Sequence, residues 1–549
     1  MHLVSLAVLA FSFCRCASET VLVNSPLGPV RGVSSGSVNL FRGLPFAQPP
    51  TEALRFERPR KVKPRREVID GTQWKPGCVG YGVNPAFQQS EDCLYLNVFA
   101  PKARSADFPN GYPVMVYLHG GAYLIGDARM FGTCEILVQK GVVVVTLQYR
   151  IGLFGFFTTG DNVAKGNFGL WDQAMALQWV KQNIGSFGGD PLKVTLFGES
   201  AGAASTSMLS ISPHTTTLFS QAIMMSGSSY CVWALSDVGT VANYSKKLAR
   251  EFNCDGDSKR IIECLRKIPA RSISIKMAEL QSVFLTVFSI GPIFDGDFLP
   301  RSISNLLVEA PKKSVIFGVN GFEGGYFALP LFPGVSTVSQ VPDLNEFTYK
   351  QLETMVEWLL RVHRFNRPRF LTVFTLFQYV DSKSDKTTLD LLIKQYSMII
   401  GDLMISMPTV HDSNLRFSLG WPSWFYTFDY FNLNAITKQI QKFPGAYHTS
   451  MLLYLFAEPS LSLVPGVEFD ANDRKVIEHL SALWTNFAKY GNPTPKPING
   501  VSWLRRSEMV NRQYLNITTS ISMKSSYPLA PDLFWNSLVP QAEKLFPCG

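Results

Sequence analysis

The feature that most constrains this chain is a recurrent alternation. Residues 114–118 (VMVYL) and 142–147 (VVVVTL) are short runs of β-branched and aromatic residues with almost no polar face. Strands that read this way are buried on both sides, which is the habit of parallel sheets. Residues 170–183 then carry Leu170, Ala174, Leu177 and Val180 at helical spacing. Residues 194–197 are another apolar run, and a small-residue, helix-compatible segment starts at Ala201. Residues 222–226, 314–320 and 424–428 continue the strands, and a last long helix is expected over about 474–490, closed by Gly491 and Pro493. Strands alternating with helices specify an α/β chain, with a central, mostly parallel sheet flanked by helices. From about 230 to 421 the pattern turns more helical, and this stretch is expected to form an insertion over the carboxyl edge of the sheet, where open α/β sheets place their sites. No repeat, charge block or Gly/Ser linker divides the rest, so residues 19–549 read as a single domain.

Composition removes other classes. With 46% hydrophobic and 17% charged residues, the chain is neither disordered nor low in complexity. The net charge is +9, and basic residues gather at Arg55, Arg58, Arg60, Lys61, Lys63, Arg65 and Arg66. Prolines interrupt that run and no aromatic ladder accompanies it, so it reads as a solvated surface loop rather than a nucleic-acid groove.

Residues 3–13 are a short apolar run followed by Ala17 and Ser18, the pattern of a secretory signal cut near Glu19. No later run is long and apolar enough for a membrane anchor. The sequons at Asn243 and Asn516 agree with that route. Cys14 and Cys16 leave with the signal, and Cys78/Cys93 and Cys254/Cys264 are closely spaced pairs suited to stapling short loops. Cys134, Cys231 and Cys548 remain, with Cys548 either free or bridging to a second copy in a homodimer.

Two pentapeptides match G-x-S-x-G, at 32–36 and 198–202. The chemistry needs a strand, a sharp turn with small neighbours, and then a helix whose N-terminus faces the serine. Ser200 has that context, whereas Ser34 sits beside a turn between two strands. His119-Gly120-Gly121-Ala122 follows the strand at 114–118, as an HGGG-type oxyanion loop does. Gly120 and Gly121, with Ala201 after the nucleophile, are the expected N–H donors. A triad on such a sheet runs serine, acid, histidine. His479 falls inside the last helix, His214 lies too soon after Ser200, and His363 sits in a basic stretch. That leaves His411 and His448, and the loop at 445–448 after the strand at 424–428 favours His448. Glu323, just past the strand at 314–320, is the expected acid. Asp295 competes, but it precedes that strand and looks like turn chemistry.

These residues resemble the type-B carboxylesterase/cholinesterase family of α/β-hydrolases. The resemblance rests on FRGLPFAQPP at 41–50, EDCLYLNV at 91–98, GNFGLWDQ at 166–173, FGGDP at 187–191 and FGESAG at 197–202. It implies Ser200 as nucleophile, Glu323 as acid and His448 as base, with Glu199 and Ser226 supporting them from behind. It also implies the disulfides Cys78–Cys93 and Cys254–Cys264. Family members commonly carry Gly after the histidine and an acid two residues further on, where this chain has Thr449 and Met451. Cholinesterases place an aromatic before the Asn-Pro that precedes the signature cysteine, and here Val83 stands before Asn84-Pro85, so no ring offers a choline ammonium its cation–π contact. The expectation is a secreted hydrolase of neutral, fairly apolar small-molecule esters, without metal or other cofactor. A lipase or sterol-ester hydrolase shares the same triad, and a catalytically dead binding ectodomain is the competing class.

Overall fold

The computed structural model describes residues 19–82, 88–286, 288–330, 339–382, 388–508, 512–527 and 529–545. The signal segment, Val83 and Cys548 lie outside them. Among the described residues the long strands are β1 (Glu19–Ser25), β2 (Gly28–Ser35), β3 (Val38–Pro45), β4 (Tyr95–Pro101), β5 (Tyr112–Leu118), β6 (Val143–Leu147), β7 (Gly189–Glu199), β8 (Gln221–Met225), β9 (Ser314–Asn320), β10 (Ser423–Phe428), β11 (Tyr514–Ile517) and β12 (Ile521–Lys524). They form one sheet in the order β1-β2-β3-β4-β6-β5-β7-β8-β9-β10-β11-β12, and Ile69–Asp70 adds a short pairing to β2. Every pairing from β6 through β11 is parallel. The N-terminal strands and the last hairpin are antiparallel. Ser34 lies on β2 between β1 and β3, opposite Glu19 and Asn39, and is followed by a turn into β3 rather than a helix.

Alternation along the central strands divides the core. Val114, Val116 and Leu118 enter one buried cluster, while Met115 and Tyr117 enter the other on the opposite face. Helices cover both faces. The relevant ones are α1 (Phe168–Asn183), α2 (Ala201–Leu209), α3 (Met407–Ser418) and α4 (Ala471–Tyr490). Helix α4 starts a turn's fraction earlier than its apolar spacing predicts because Asp470 caps it, accepting from Asn472 N and Asp473 N, with Asp473 closing a capping box. It ends at Gly491 in the left-handed conformation, φ 66°.

Residues 230–421 are not one continuous insertion. Strand β9 passes through the middle of them as a central strand, because residues 315–320 are all buried. The helical material therefore splits into one part before β9 and another after it. Two disulfides staple loops outside the sheet, Cys78–Cys93 (Cα–Cα 5.0 Å) and Cys254–Cys264 (Cα–Cα 5.5 Å). Cys134 and Cys231 are free and buried. No helix of the described residues is long and apolar enough to cross a membrane.

Two buried ion pairs lock helices near the strand ends. Arg150 grips Asp172 of α1 at 2.7 Å, and Arg416 of α3 pairs with Asp412 at 2.8 Å. Asp412 also accepts from Ser207 of α2 at 2.7 Å, and Arg416 donates to Ser210 at 2.9 Å. Helix α2 is thus fastened along its side by groups that satisfy each other's buried charges.

Candidate active site

Strand β7 ends at Glu199 and α2 begins at Ala201, leaving Ser200 alone to turn the chain. It does so with φ 56° and ψ −122°, a conformation that costs a non-glycine residue about 1–3 kcal/mol. The glycines on either side make the turn possible. A Cβ on Gly198 would lie 2.4 Å from Gly202 C, and one on Gly202 would lie 2.0 Å from Leu118 O. Ser200 N is held by Met225 O of β8 at 3.0 Å, so the strained turn is tied to the neighbouring strand.

The loop after β5 runs close to this turn. A Cβ on Gly120 would meet Glu199 O at 2.8 Å and Ser200 Cβ at 3.1 Å, so only glycine fits there. Gly121 takes φ 106°, and Ala122 and Tyr123 follow at φ 56° and 59°, curling the loop back. Tyr149 stacks on His119 at 4.3 Å and donates its hydroxyl to His119 O at 2.7 Å, which fixes the start of the loop. Among the described residues, the N–H groups of Gly120, Gly121 and Ala201 donate to no protein acceptor. Three free donors beside a buried hydroxyl are what a developing oxyanion needs.

His448 and Glu323 meet across the ends of β9 and β10. His448 Nδ1 lies 2.7 Å from Glu323 Oε2, and both side chains are buried. Glu323 Oε1 accepts from Asn320 N at 2.6 Å, and Asn320 Nδ2 donates to Tyr447 O at 2.6 Å, so the strand end positions both acid and base. This bonding assigns the proton to Nδ1 and leaves Nε2 as the basic nitrogen. Nε2 faces Glu199 Oε1 at 3.3 Å. Ser200 Oγ has no hydrogen bond among the described residues, a contact that in unliganded hydrolases is commonly long and tightens with substrate.

The electrostatics follow from this packing. Burial opposes the imidazolium of His448, but Glu199, Glu323 and the Glu323 hydrogen bond together outweigh it, so its pKa is raised. Glu199 is pushed up to about 7, first by burial, with His448 opposing and Glu323 adding to the rise. The aromatic rings of Tyr326 and Phe327 flank His448 at 5.7 and 5.4 Å. A small cavity of about 40 Å³ adjoins it, lined among others by Tyr326, Ile436, Tyr447, Leu453 and Leu463.

The other sequence candidates fall elsewhere. His214 bonds Asp297 at 2.9 Å on the surface, and His479 bonds Asn499 at 3.0 Å. His363 is enclosed against Phe288. His411 packs edge-on against Tyr230 at 4.8 Å, away from the Glu323–His448 pair. Asp295 accepts from Asp297 N and Leu299 N, as turn chemistry requires. Ser226 follows β8 with φ 53°, its N–H on Gly318 O at 2.8 Å, and a Cβ on the next residue, Gly227, would lie 2.5 Å from Ser200 O. Asn243 is exposed on its helix. Asn516 Nδ2 is spent on Thr427 Oγ1 at 3.0 Å and on Asp429, which argues against a glycan at that nitrogen.

Sequence reasoning missed three features. The contact of Glu199 with Nε2 depends on how a turn folds and has no pattern in the chain. The Ser207–Asp412–Arg416 clamp was half legible, because Asp412 and Arg416 stand at i, i+4. Thr449 takes φ 74°, the left-handed region, immediately after His448. The signal for it lay in the family pattern, which has glycine there.

A parallel sheet with a strained serine between strand and helix, free backbone donors beside it and a histidine–carboxylate pair at later strand ends is the architecture of an α/β-hydrolase. The chain belongs to the carboxylesterase family, whose model matches residues 19–535. It is 32% identical to gut esterase 1 of Caenorhabditis briggsae over 98% of this chain and 96% of that protein. It is 36% identical to esterase cest-33 of Caenorhabditis elegans over 87% of each chain. It is also 30% identical to human neuroligin-2 over 95% of this chain and 68% of that protein. The protein is a carboxylic ester hydrolase.

Proposed function

We propose that this protein is a secreted serine esterase that cleaves neutral, fairly apolar small-molecule esters through an acyl-enzyme on Ser200. The observation that supports the reading best is the buried hydrogen bond between Glu323 and His448, with Nε2 3.3 Å from Glu199, the residue before Ser200. In this mechanism Ser200 Oγ attacks the ester carbonyl carbon while Nε2 takes the hydroxyl proton. The N–H groups of Gly120, Gly121 and Ala201 hold the oxyanion. Collapse breaks the bond to the alcohol, which leaves with the proton from Nε2. Water, deprotonated by the same nitrogen, then attacks the acyl carbon; the bond to Ser200 Oγ breaks as Oγ takes the proton back from Nε2, and the carboxylic acid departs. Glu323 accepts from Nδ1–H throughout and stabilises the imidazolium without being protonated itself.

Preference for neutral esters is supported by charge. Glu199 and Glu323 are the ionisable neighbours of His448, so an anionic substrate would meet repulsion as the oxyanion develops. The apolar rings and aliphatic side chains beside His448 suit an uncharged acyl or alcohol group. Export is supported by the two loop-stapling disulfides, which belong to an oxidising compartment.

The test is hydrolysis of a p-nitrophenyl ester series from acetyl to palmitoyl by wild type and Ser200→Ala. Turnover should fall by at least about 10⁴-fold in the variant. A preference for short chains marks a carboxylesterase, and one for long chains a lipase or sterol-ester hydrolase. The similarity to neuroligin-2, with Thr449 and Met451 after His448, favours a binding protein as the second reading. Folded wild type that neither turns over any ester nor reacts with an organophosphonate would establish that reading instead.

A further inference from the structure

The basic run near the N-terminus divides in two once folded. Arg55 is buried against Glu91, with its guanidinium also on the carbonyls of Leu265 and Ile268. Arg58 pairs with Asp297 and lies over the Trp171 ring at 4.0 Å. These two are structural. The next five cations, Arg60, Lys61, Lys63, Arg65 and Arg66, are all exposed, and among the described residues none pairs with a carboxylate. No acid interrupts residues 60–66, and the first one after them is Glu67.

The segment that carries them is held in place. Arg60 O accepts from Gln48 N at 2.8 Å, Lys61 O from Gln48 Nε2 at 3.0 Å, and Arg65 N donates to Leu27 O at 3.0 Å. Gly28 fits closely under the far end, since a Cβ there would lie 2.3 Å from Arg65 O. Pro59 and Pro64 bias the residues before them toward extended backbone. The result is a fixed row of five cations at most ~20 Å long, whose backbone ordering is already accounted for by the fold. Another basic stretch, at 247–271, has comparable positive charge but is interleaved with Glu251, Asp255, Asp257 and Glu263. Residues 361–369 also hold four arginines without an acid, but Arg361 and Arg369 pair with Glu357, whereas among the described residues none of the five cations at 60–66 pairs with a carboxylate.

We propose that residues 60–66 form a binding strap for a linear sulfated polysaccharide. A one-dimensional row of cations matches a chain that carries its anions in sequence. A membrane surface is less well matched, because the one aliphatic residue within the row, Val62, is partly buried and the row bears no exposed aromatic to enter the headgroups. Single-stranded nucleic acid lacks the aromatic platform it stacks on. Binding of a polyanion releases its condensed counterions, so affinity should fall steeply with salt.

The experiment measures binding of the full-length protein to immobilised heparin across a salt series, with desulfated heparin and phosphatidylserine vesicles as further arms. One variant replaces Arg60, Lys61, Lys63, Arg65 and Arg66 by Gln. A second replaces Lys247, Lys259, Arg260, Lys267 and Arg271 by Gln, removing the same charge from the interleaved stretch. The strap variant should lose at least about 10-fold in affinity and show a shallower dependence on log salt, while the second variant loses far less. Both should keep wild-type ester turnover and thermal midpoint, which excludes misfolding. Equal losses in the two variants would reduce the effect to net charge and overturn the strap. So would wild type that does not bind heparin, or that binds desulfated heparin equally well. Vesicle binding lost in the strap variant while heparin binding persists would also overturn it, in favour of a lipid surface.

Discussion

Thr449 occupies a backbone conformation that a β-branched residue rarely adopts, φ 74° and ψ −17°, directly after the histidine that the mechanism uses. Strain of this kind costs about 1–2 kcal/mol, while glycine in its place loses about 0.5–1 kcal/mol through the freedom of the unfolded chain. The balance predicts that Thr449→Gly stabilises the protein by up to about 1.5 kcal/mol, read as a raised urea midpoint with unchanged slope. A lowered midpoint would mean that the threonine side chain makes contacts worth more than the strain. Glu199 bears on the same histidine through charge. In the proposed mechanism His448 acts as a base only when neutral, so its raised pKa predicts that activity is lost as pH falls through that value. Glu199→Gln removes one of the two carboxylates that hold the proton on, leaving burial to favour the neutral ring. The acid limb of kcat/KM should therefore move to lower pH, so that the variant keeps a larger fraction of its plateau rate at pH 6. Because Glu199 and His448 titrate as a pair, the shift belongs to the macroscopic limb and not to one residue. An unmoved limb would show that Glu199 is already protonated where His448 titrates.

At the scale of elements, the segment that matters most is α2, since its first turn supplies Ala201 and its N-cap is Ser200. Its far side is clamped by Asp412 and Arg416 of α3, both fully buried. Asp412→Ala would strand a guanidinium that packs over the Trp421 ring at 4.6 Å with its main counter-charge gone. Removing one partner of such a pair typically costs about 3–5 kcal/mol, and equilibrium urea unfolding should register a loss of that size. A loss below about 1 kcal/mol would mean that water reaches the site and relieves the charge. The clamp also marks how far the sequence could be read. Strands β5 to β10 and the turn at Ser200 were legible because apolar runs, a glycine-flanked serine and small residues after it leave few alternatives. The short pairing at β11 and β12 was not, because four-residue edge strands such as Tyr514–Ile517 carry too little periodicity to stand out from loops. The position of β9 inside a mostly helical stretch was legible as a strand at 314–320, but its central place in the sheet depended on crossovers that no local pattern records. In the site, Ser200, Glu323 and His448 could be named from chain order. The approach of Glu199 to Nε2 could not, being a property of three-dimensional packing.

Among the described residues, a stripe of exposed apolar side chains lies along one helix. On the helix Pro368–Leu376 and the turn after it, Phe370, Val373, Phe374 and Phe377 follow i, i+3, i+4, i+7 spacing, and Val373 and Phe377 are 63% and 62% exposed. The C-terminal helices run alongside, since Trp535 Nε1 donates to Tyr379 OH at 2.8 Å and Asn366 N to Glu543 at 2.9 Å. They add Leu533 and Leu538, each about half exposed. Exposed apolar side chains set at helical spacing mark a candidate interaction surface. In sequence, Cys548 follows shortly after the helix Val539–Leu545, and it remains outside the two disulfides together with the buried Cys134 and Cys231. Two copies related by a two-fold axis would bury both stripes against each other. The prediction is a homodimer at micromolar concentration in sedimentation velocity, present with or without reductant and dissociated by Phe374→Glu with Phe377→Glu. A band of dimer mass on a non-reducing gel should vanish in Cys548→Ser, while the sedimentation coefficient of that variant stays that of the dimer. If Cys548→Ser alone yields monomer, the cysteine and not the apolar stripe holds the pair together. A wild-type monomer at these concentrations would leave the stripe to a different partner.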